Sequence, residues 1–234
     1  ERYPGFQLIS FSRLVLRDQL AEYEMRVRGD TSLAPTGYPN FTIKPPGEWP
    51  EYYALEYVEP MAQNENSLGL DLRGNPLRIL ALERARDSGR LVASGRIVLV
   101  SNEQVGFALR VPIYRKDSPV RTERERHAAF LGLASATFTT KELIENVIGT
   151  ETLRNIRIKI VDRGFANVLD DENTQPGKNI IFESGAFPTT VFTRLLPWLG
   201  IPALTQNAKL NVGERLWDVQ FSESSGLDDK AHQV

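Results

Sequence analysis

A chain of 234 residues is long enough for one large domain or two small ones. Hydrophobic residues make up 41%, so a core can form, while 28 basic and 30 acidic residues nearly cancel to a net charge of −2, leaving no basic field for nucleic acid. The absence of cysteine removes disulfides, thiol catalysis and cysteine metal sites, and two histidines, His127 and His232, are too few for a histidine metal cluster.

No apolar run approaches the roughly 18 residues that a helix needs to cross a bilayer, and no signal peptide is visible. The abrupt start in ERYPGF looks like that of a soluble piece excised from a longer membrane protein.

Residues 6–28 read as one helix, because Ile9, Leu16, Leu20, Tyr23 and Val27 fall at spacings of seven, four, three and four. Such a stripe suits packing on its own domain or a dimer seam, and Gly29-Asp30 ends it. Residues 31–51 are rich in Pro and Gly, a connection with one short strand at 41–44. Residues 52–59 carry aromatic and β-compatible side chains up to Pro60 and read as a strand. A polar loop follows at 64–71.

The next helix is well signalled: Asn75 can cap it, Pro76 fits its first turn and Gly89 can close it. Leu77, Leu80, Ala81, Arg84 and Ala85 form its expected inner face, and Arg78 shares a face with Ala81, Leu82 and Ala85. Two strands, 91–101 and 105–114, then flank a turn at SNEQ. In the second, Val105, Phe107, Leu109, Val111 and Ile113 point one way, and Gly106, Ala108, Arg110 and Pro112 the other. Residues 116–126 form a charged, solvated linker that runs into a helix start.

A second unit follows. Residues 130–138 form a small-residue strand, 140–148 a Thr-capped helix, 156–161 and 180–183 strands, and 209–221 a hairpin through Asn211-Val212-Gly213. The fold class is α+β, two small units in tandem with antiparallel sheets.

No nucleophile elbow, P-loop, H-E-x-x-H or dinucleotide fingerprint occurs, which argues against an enzyme. Asp170, Asp171 and Glu172 lie in a turn-like surface stretch without calcium-loop spacing. The sharper signal is Arg78 and Arg110, two cations among small and apolar neighbours, where an unpaired charge is costly. Arg78 lies in the first turn of its helix, where free N–H groups attract anions; Arg110 is bordered on its face by Gly106 and Ala108, which leave room above the strand. Guanidinium forms bidentate bonds to carboxylate or phosphate, so two of them in one cavity would favour a small anion. Two alternatives stand beside this: a salt bridge from Arg78 to Asp71 or another nearby acid, and a solvent-exposed face around Arg110.

The segments RYPGFQLISFSRLV, YVEP, NENSLGLDL, PLRILALERARDSG, GFALRVPIY, RHAAFLGLASATF and LNVGERLWDVQF, spread over residues 3–222, make the chain resemble the CHASE domain, the extracellular sensory module of histidine kinases, cyclases and cyclic-di-GMP enzymes. The resemblance implies a long N-terminal stalk helix over residues 1–30, a membrane-distal PAS-like ligand-binding unit at 31–120, a membrane-proximal PAS-like unit at 121–222, and a polar tail at 223–234. It also implies a periplasmic or extracellular location, flanking membrane helices, a cytoplasmic output domain, and a homodimer joined through the N-terminal helix. Matched against plant cytokinin receptors of the same family, Arg78 falls where an Asp binds adenine and Arg110 where a Thr meets the ligand tail. Val100 falls at a backbone contact, and Ser94 at a structurally required Thr. Two arginines at these places speak against cytokinin and for an anion. The expected ligand-binding set is Arg78, Arg110, Ser94, Val100, Tyr57 and Ala108, with no cofactor and no metal.

Overall fold

The segment FQLISFSRLVL has two periodicities, and the shorter one wins. Leu8, Ser10 and Ser12 recur at every second residue and are buried, while Ile9 between them is exposed. The segment is therefore strand β1 (Phe6–Leu16), and the expected long N-terminal helix is replaced by this strand and a short helix, α1 (Leu20–Arg28). The seven-residue step from Ile9 to Leu16 is odd, so it puts the two residues on opposite faces of a strand. In α1, Tyr23 and Val27 are buried against Val15, Phe41, Ile43 and Tyr52. The apolar stripe thus serves this unit's own core.

The computed structural model describes residues 5–74, 76–165, 179–184 and 205–223. The expected strand at 41–44 reduces to an isolated parallel bridge between Lys44 and Leu70; Phe41 and Ile43 are buried in the core instead. Strand β2 (Glu51–Glu59) pairs with β1 through a bulge: Phe11 stands opposite Tyr57 and Ser12 opposite Leu55, so Glu56 is the extra residue.

Helix α2 (Pro76–Ser88) ends at Gly89, whose φ of 73° suits a residue without a Cβ. Ala81, Leu82 and Ala85 are fully buried, whereas Leu80 is exposed, so the inner face is rotated from the expected one. The expected cap, Asn75, lies outside the described residues. The strand expected over 91–101 survives as two short pieces, β3 (Val92–Ala93) and β4 (Ile97–Val98). Between them Gly95, at φ 71°, turns the chain out of the extended path.

Strand β5 (Val105–Tyr114), helix α3 (Glu123–Ala129) and strand β6 (Phe130–Thr139) complete the first unit. The antiparallel sheet runs β2-β1-β6-β5-β3, with β4 also on β5. Its close spacing needs Gly106, where a Cβ would come within 2.2 Å of the Phe138 carbonyl oxygen.

The second unit contains α4 (Thr140–Ile148), α5 (Thr150–Asn155), β7 (Ile156–Phe165), β8 (Ile180–Glu183), β9 (Thr205–Val212) and β10 (Arg215–Glu223). Its sheet order is β8-β7-β10-β9, all antiparallel. Ile158, Ile160, Phe165, Trp217 and Val219 are buried in it. The chain divides into these two compact units at Thr139/Thr140. The acidic run 170–172 and the tail from 224 lie outside the described residues. Among the described residues no helix is long and apolar enough to cross a membrane.

Candidate functional site

Register places hydroxyls and one guanidinium in a row across three strands. Ser10 of β1 stands opposite Ser135 of β6, and Ser135 opposite Arg110 of β5. The row spans two strand spacings, about 10 Å. One step along the sheet, Leu8, Thr137 and Ala108 form a parallel row; one step the other way lies Ser12, opposite Leu55 of β2. All of these side chains are on the same face because strand side chains alternate.

These rows floor a cavity of about 50 Å³ in the first unit. Its walls are Ser67, Leu70 and Leu72 from the loop before α2, and Ile97, Leu99, Val100 and Ser101 from the β4–β5 hairpin. Eight of the lining residues carry hydrogen-bond donors of the kind an anion needs: Gln7, Ser10, Ser12, Ser67, Ser101, Ser135, Thr137 and Arg110. The hydroxyls of Ser12 and Ser135 are buried and have no hydrogen-bond partner among the described residues, an arrangement that costs stability unless something else supplies the bond. The volume is far below the roughly 300–1,000 Å³ of common small-molecule sites, so the cavity offers space for a few water-sized groups.

Of the residues expected at the site, Arg110, Ala108 and Val100 line this cavity. Arg110 is 3% exposed, which removes the alternative of a solvent-facing strand surface. Ser94 is fully buried beside it but does not line it: its Oγ accepts from the Ala108 N–H at 3.0 Å and donates to the Gly95 carbonyl at 2.9 Å, fixing β3 on β5. Tyr57 stands opposite Phe11, and its hydroxyl donates to Asp30 at 3.2 Å, away from the cavity. Desolvation, with the nearby charges of Glu56 and Asp30, pushes its pKa up. Arg78 lies in α2, and its side chain is outside the described residues. Asp71, the acid considered for it, accepts from the backbone N–H groups of Tyr53 at 2.9 Å and Arg73 at 3.2 Å.

Sequence reasoning missed the hydroxyls of β1 and β6. The signal was present: L-I-S-F-S and L-A-S-A-T each put small polar groups at alternate positions, which is legible once both segments are strands. Among the described residues, one group has metal-ligand chemistry. Asp87, Glu123 and His127 bring ligand atoms within 4.8 Å of one another. Asp87 Oδ1 meets His127 Nε2 at 2.6 Å and accepts from Arg86 Nε at 2.7 Å, so the cluster ties α2 to α3 as it stands.

The sequence model of the CHASE domain matches residues 1–180. The chain belongs to the CHASE domain family. CHASE is a sensory domain and not a catalytic one, which agrees with a site built of hydroxyls and a guanidinium. No curated protein matches the chain. Among solved structures, this CHASE domain is similar to an extracellular ligand binding receptor from Desulfohalobium retbaense, at 15% identity and a TM-score of 0.41 over 73% of this chain and 28% of that one. It is also similar to the ligand-binding domain of the Pseudomonas aeruginosa amino-acid chemoreceptor PctC in complex with GABA, at 12% identity and a TM-score of 0.35, over 66% of this chain and 61% of that one. A third is the ligand-binding domain of Mlp24 with asparagine, at 13% identity and a TM-score of 0.34 over 97% and 71%. The CHASE domain therefore spans less than two thirds of the length of the first two.

Proposed function

We propose that this CHASE domain is the periplasmic or extracellular sensing part of a transmembrane receptor, and that it binds a small anion in the cavity of its first unit. The observation that carries the reading is the row Ser10–Ser135–Arg110: a buried guanidinium directly across from Ser135, whose hydroxyl has no hydrogen-bond partner among the described residues. A carboxylate or phosphate between them would accept from Arg110 and from the serines at once. Arg78, in the first turn of α2, is proposed as the second cation.

Because the cavity holds only about 50 Å³, an amino-acid-sized guest needs its walls to move. The loop 67–72 and the hairpin 97–101 are those walls, and a guest that prefers the opened arrangement shifts the population toward it. In this reading the shift passes through a receptor homodimer and flanking membrane helices to a cytoplasmic histidine kinase or cyclic-di-GMP enzyme. The small volume also favours a second reading, a protein-interaction module without a small-molecule guest.

Calorimetry of the wild type and of Arg110→Met against amino acids, dicarboxylates and inorganic phosphate tests the two. A saturable acid whose affinity falls at least about tenfold in Arg110→Met, with the variant still folded by circular dichroism, supports the anion site. Equal responses of both proteins overturn it, and the absence of any response favours the interaction module.

A further inference from the structure

The first unit has a second concavity, on different elements and with different chemistry. It lies between α1, α3 and the adjoining ends of β1 and β6, and its volume is about 640 Å³, within the range of small-molecule sites. Its floor is apolar, with Val15 and Phe130 buried and Leu14 and Leu131 partly so. Three arginines line it: Arg13 on β1, Arg26 on α1 and Arg115 just after β5.

Their partners do not match their number. Glu56, the bulged residue of β2, is buried and takes both Arg13, through a short contact to its Nε, and Arg26 Nη2 at 3.3 Å. One carboxylate thus serves two cations. Both guanidiniums keep N–H groups beyond those bonds, since each carries five donors, and both are partly exposed. Arg115 makes no ion pair among the described residues and is exposed. The acid lining the groove itself is Glu22, and His127 is engaged with Asp87. The Tyr23 hydroxyl, in a residue 6% exposed, lies beside Glu56, and burial together with that charge pushes its pKa up.

We infer that this groove is a second binding site, for a molecule that joins an anionic head to an apolar body. The head sits among Arg26, Arg115 and the free edge of Arg13, in the geometry that suits phosphate or carboxylate. The body lies on Val15 and Phe130. Glu56 holds Arg13 and Arg26 in place beforehand, so little side-chain freedom remains to be lost on binding. The site is independent of the hydroxyl cavity, which none of the three arginines lines.

The test uses two probes on the 234-residue chain, inorganic phosphate and phenyl phosphate, followed by calorimetry and by NMR shifts of α1 and α3 amides. Phenyl phosphate is expected to bind in the millimolar range or tighter, and phosphate alone several-fold more weakly, as burial of the ring on the floor requires. Arg115→Gln and Arg26→Gln are each expected to weaken phenyl phosphate by about three- to tenfold; Arg115→Gln disturbs no ion pair, so its effect is not a folding effect. Arg110→Met is expected to leave this binding unchanged. No saturation at about 10 mM, equal affinity for the two probes, or loss of binding in Arg110→Met with retention in Arg115→Gln, overturns the site. Loss of binding in Arg110→Met alone would place the probe in the anion cavity instead; the other outcomes leave that cavity's own test, Arg110→Met against its acids, untouched.

Discussion

Ser135 shows what the cavity asks of a single residue. It stands between Ser10 and Arg110, is buried, and its hydroxyl has no partner among the described residues. A group selected for stability alone would be Ala, since a buried hydroxyl without a partner costs about 1–3 kcal/mol. Ser135→Ala is therefore expected to keep or raise the melting temperature of the ligand-free protein, while weakening any acid that Arg110→Met also weakens. A loss of more than about 1 kcal/mol by denaturant unfolding would show that the hydroxyl is structural. Arg110 was legible in the sequence because β5 alternates cleanly, Ala108 and Arg110 against Phe107 and Leu109. Its serine neighbours were not, because they lie on strands far away in sequence, and pairing register is a tertiary property.

At the scale of the element, β1 and α3 show opposite outcomes. The stripe of β1 satisfied a helical spacing by coincidence, and tertiary pairing with both β2 and β6 decided for the strand. Local propensity is weak against a central place in a sheet. Helix α3, in contrast, is local. Thr122 accepts from the Glu125 N–H at 3.2 Å, and the Glu125 carboxylate accepts from the Thr122 N–H at 2.8 Å, closing a capping box. That backbone bond holds the Glu125 carboxyl below its usual range, with a smaller opposing effect of desolvation. A lowered folded-state pKa means that the contribution is complete at neutral pH and is lost as acidification passes the folded value. Thr122→Ala is expected to cost about 1 kcal/mol. Glu125→Gln is expected to remove the part of the helix's acid sensitivity that comes from the box. Hydrogen exchange of the α3 amides between neutral and acid pH reads both, and an unchanged pH profile in Glu125→Gln would sink the assignment.

For the whole molecule, the mixed α+β class and its antiparallel sheets were legible from turn signals and alternation, whereas the strand at 130–138, expected in the second unit, is β6 of the first unit's sheet. The sheet order β2-β1-β6-β5-β3 was not legible, because it requires β1 to sit between strands from both ends of the unit. The second unit has its own sheet and its own polar anchor. Asp162 on β7 and Arg215 on β10 are both 4% exposed and meet through Nε at 2.9 and 3.0 Å and Nη2 at 2.8 Å. Asp162 also accepts from the Gly164 N–H at 3.0 Å, and the guanidinium lies 4.6 Å from the centre of the Phe165 ring. Removing one partner strands a buried charge, at a cost of about 3–5 kcal/mol, whereas replacing both by apolar groups of similar volume can be neutral. Asp162→Asn is thus expected to lower the stability of the second unit by about 3 kcal/mol, and the pair Asp162→Leu/Arg215→Met to recover most of it. Because the first unit carries a separate sheet, its hydrogen-exchange protection and its response to acids should be the same in all three proteins. If Asp162→Asn instead loosens β1, β5 and β6 to the same extent as β7 and β10, the two units unfold as one, and the cavity's stability depends on an ion pair in the other unit.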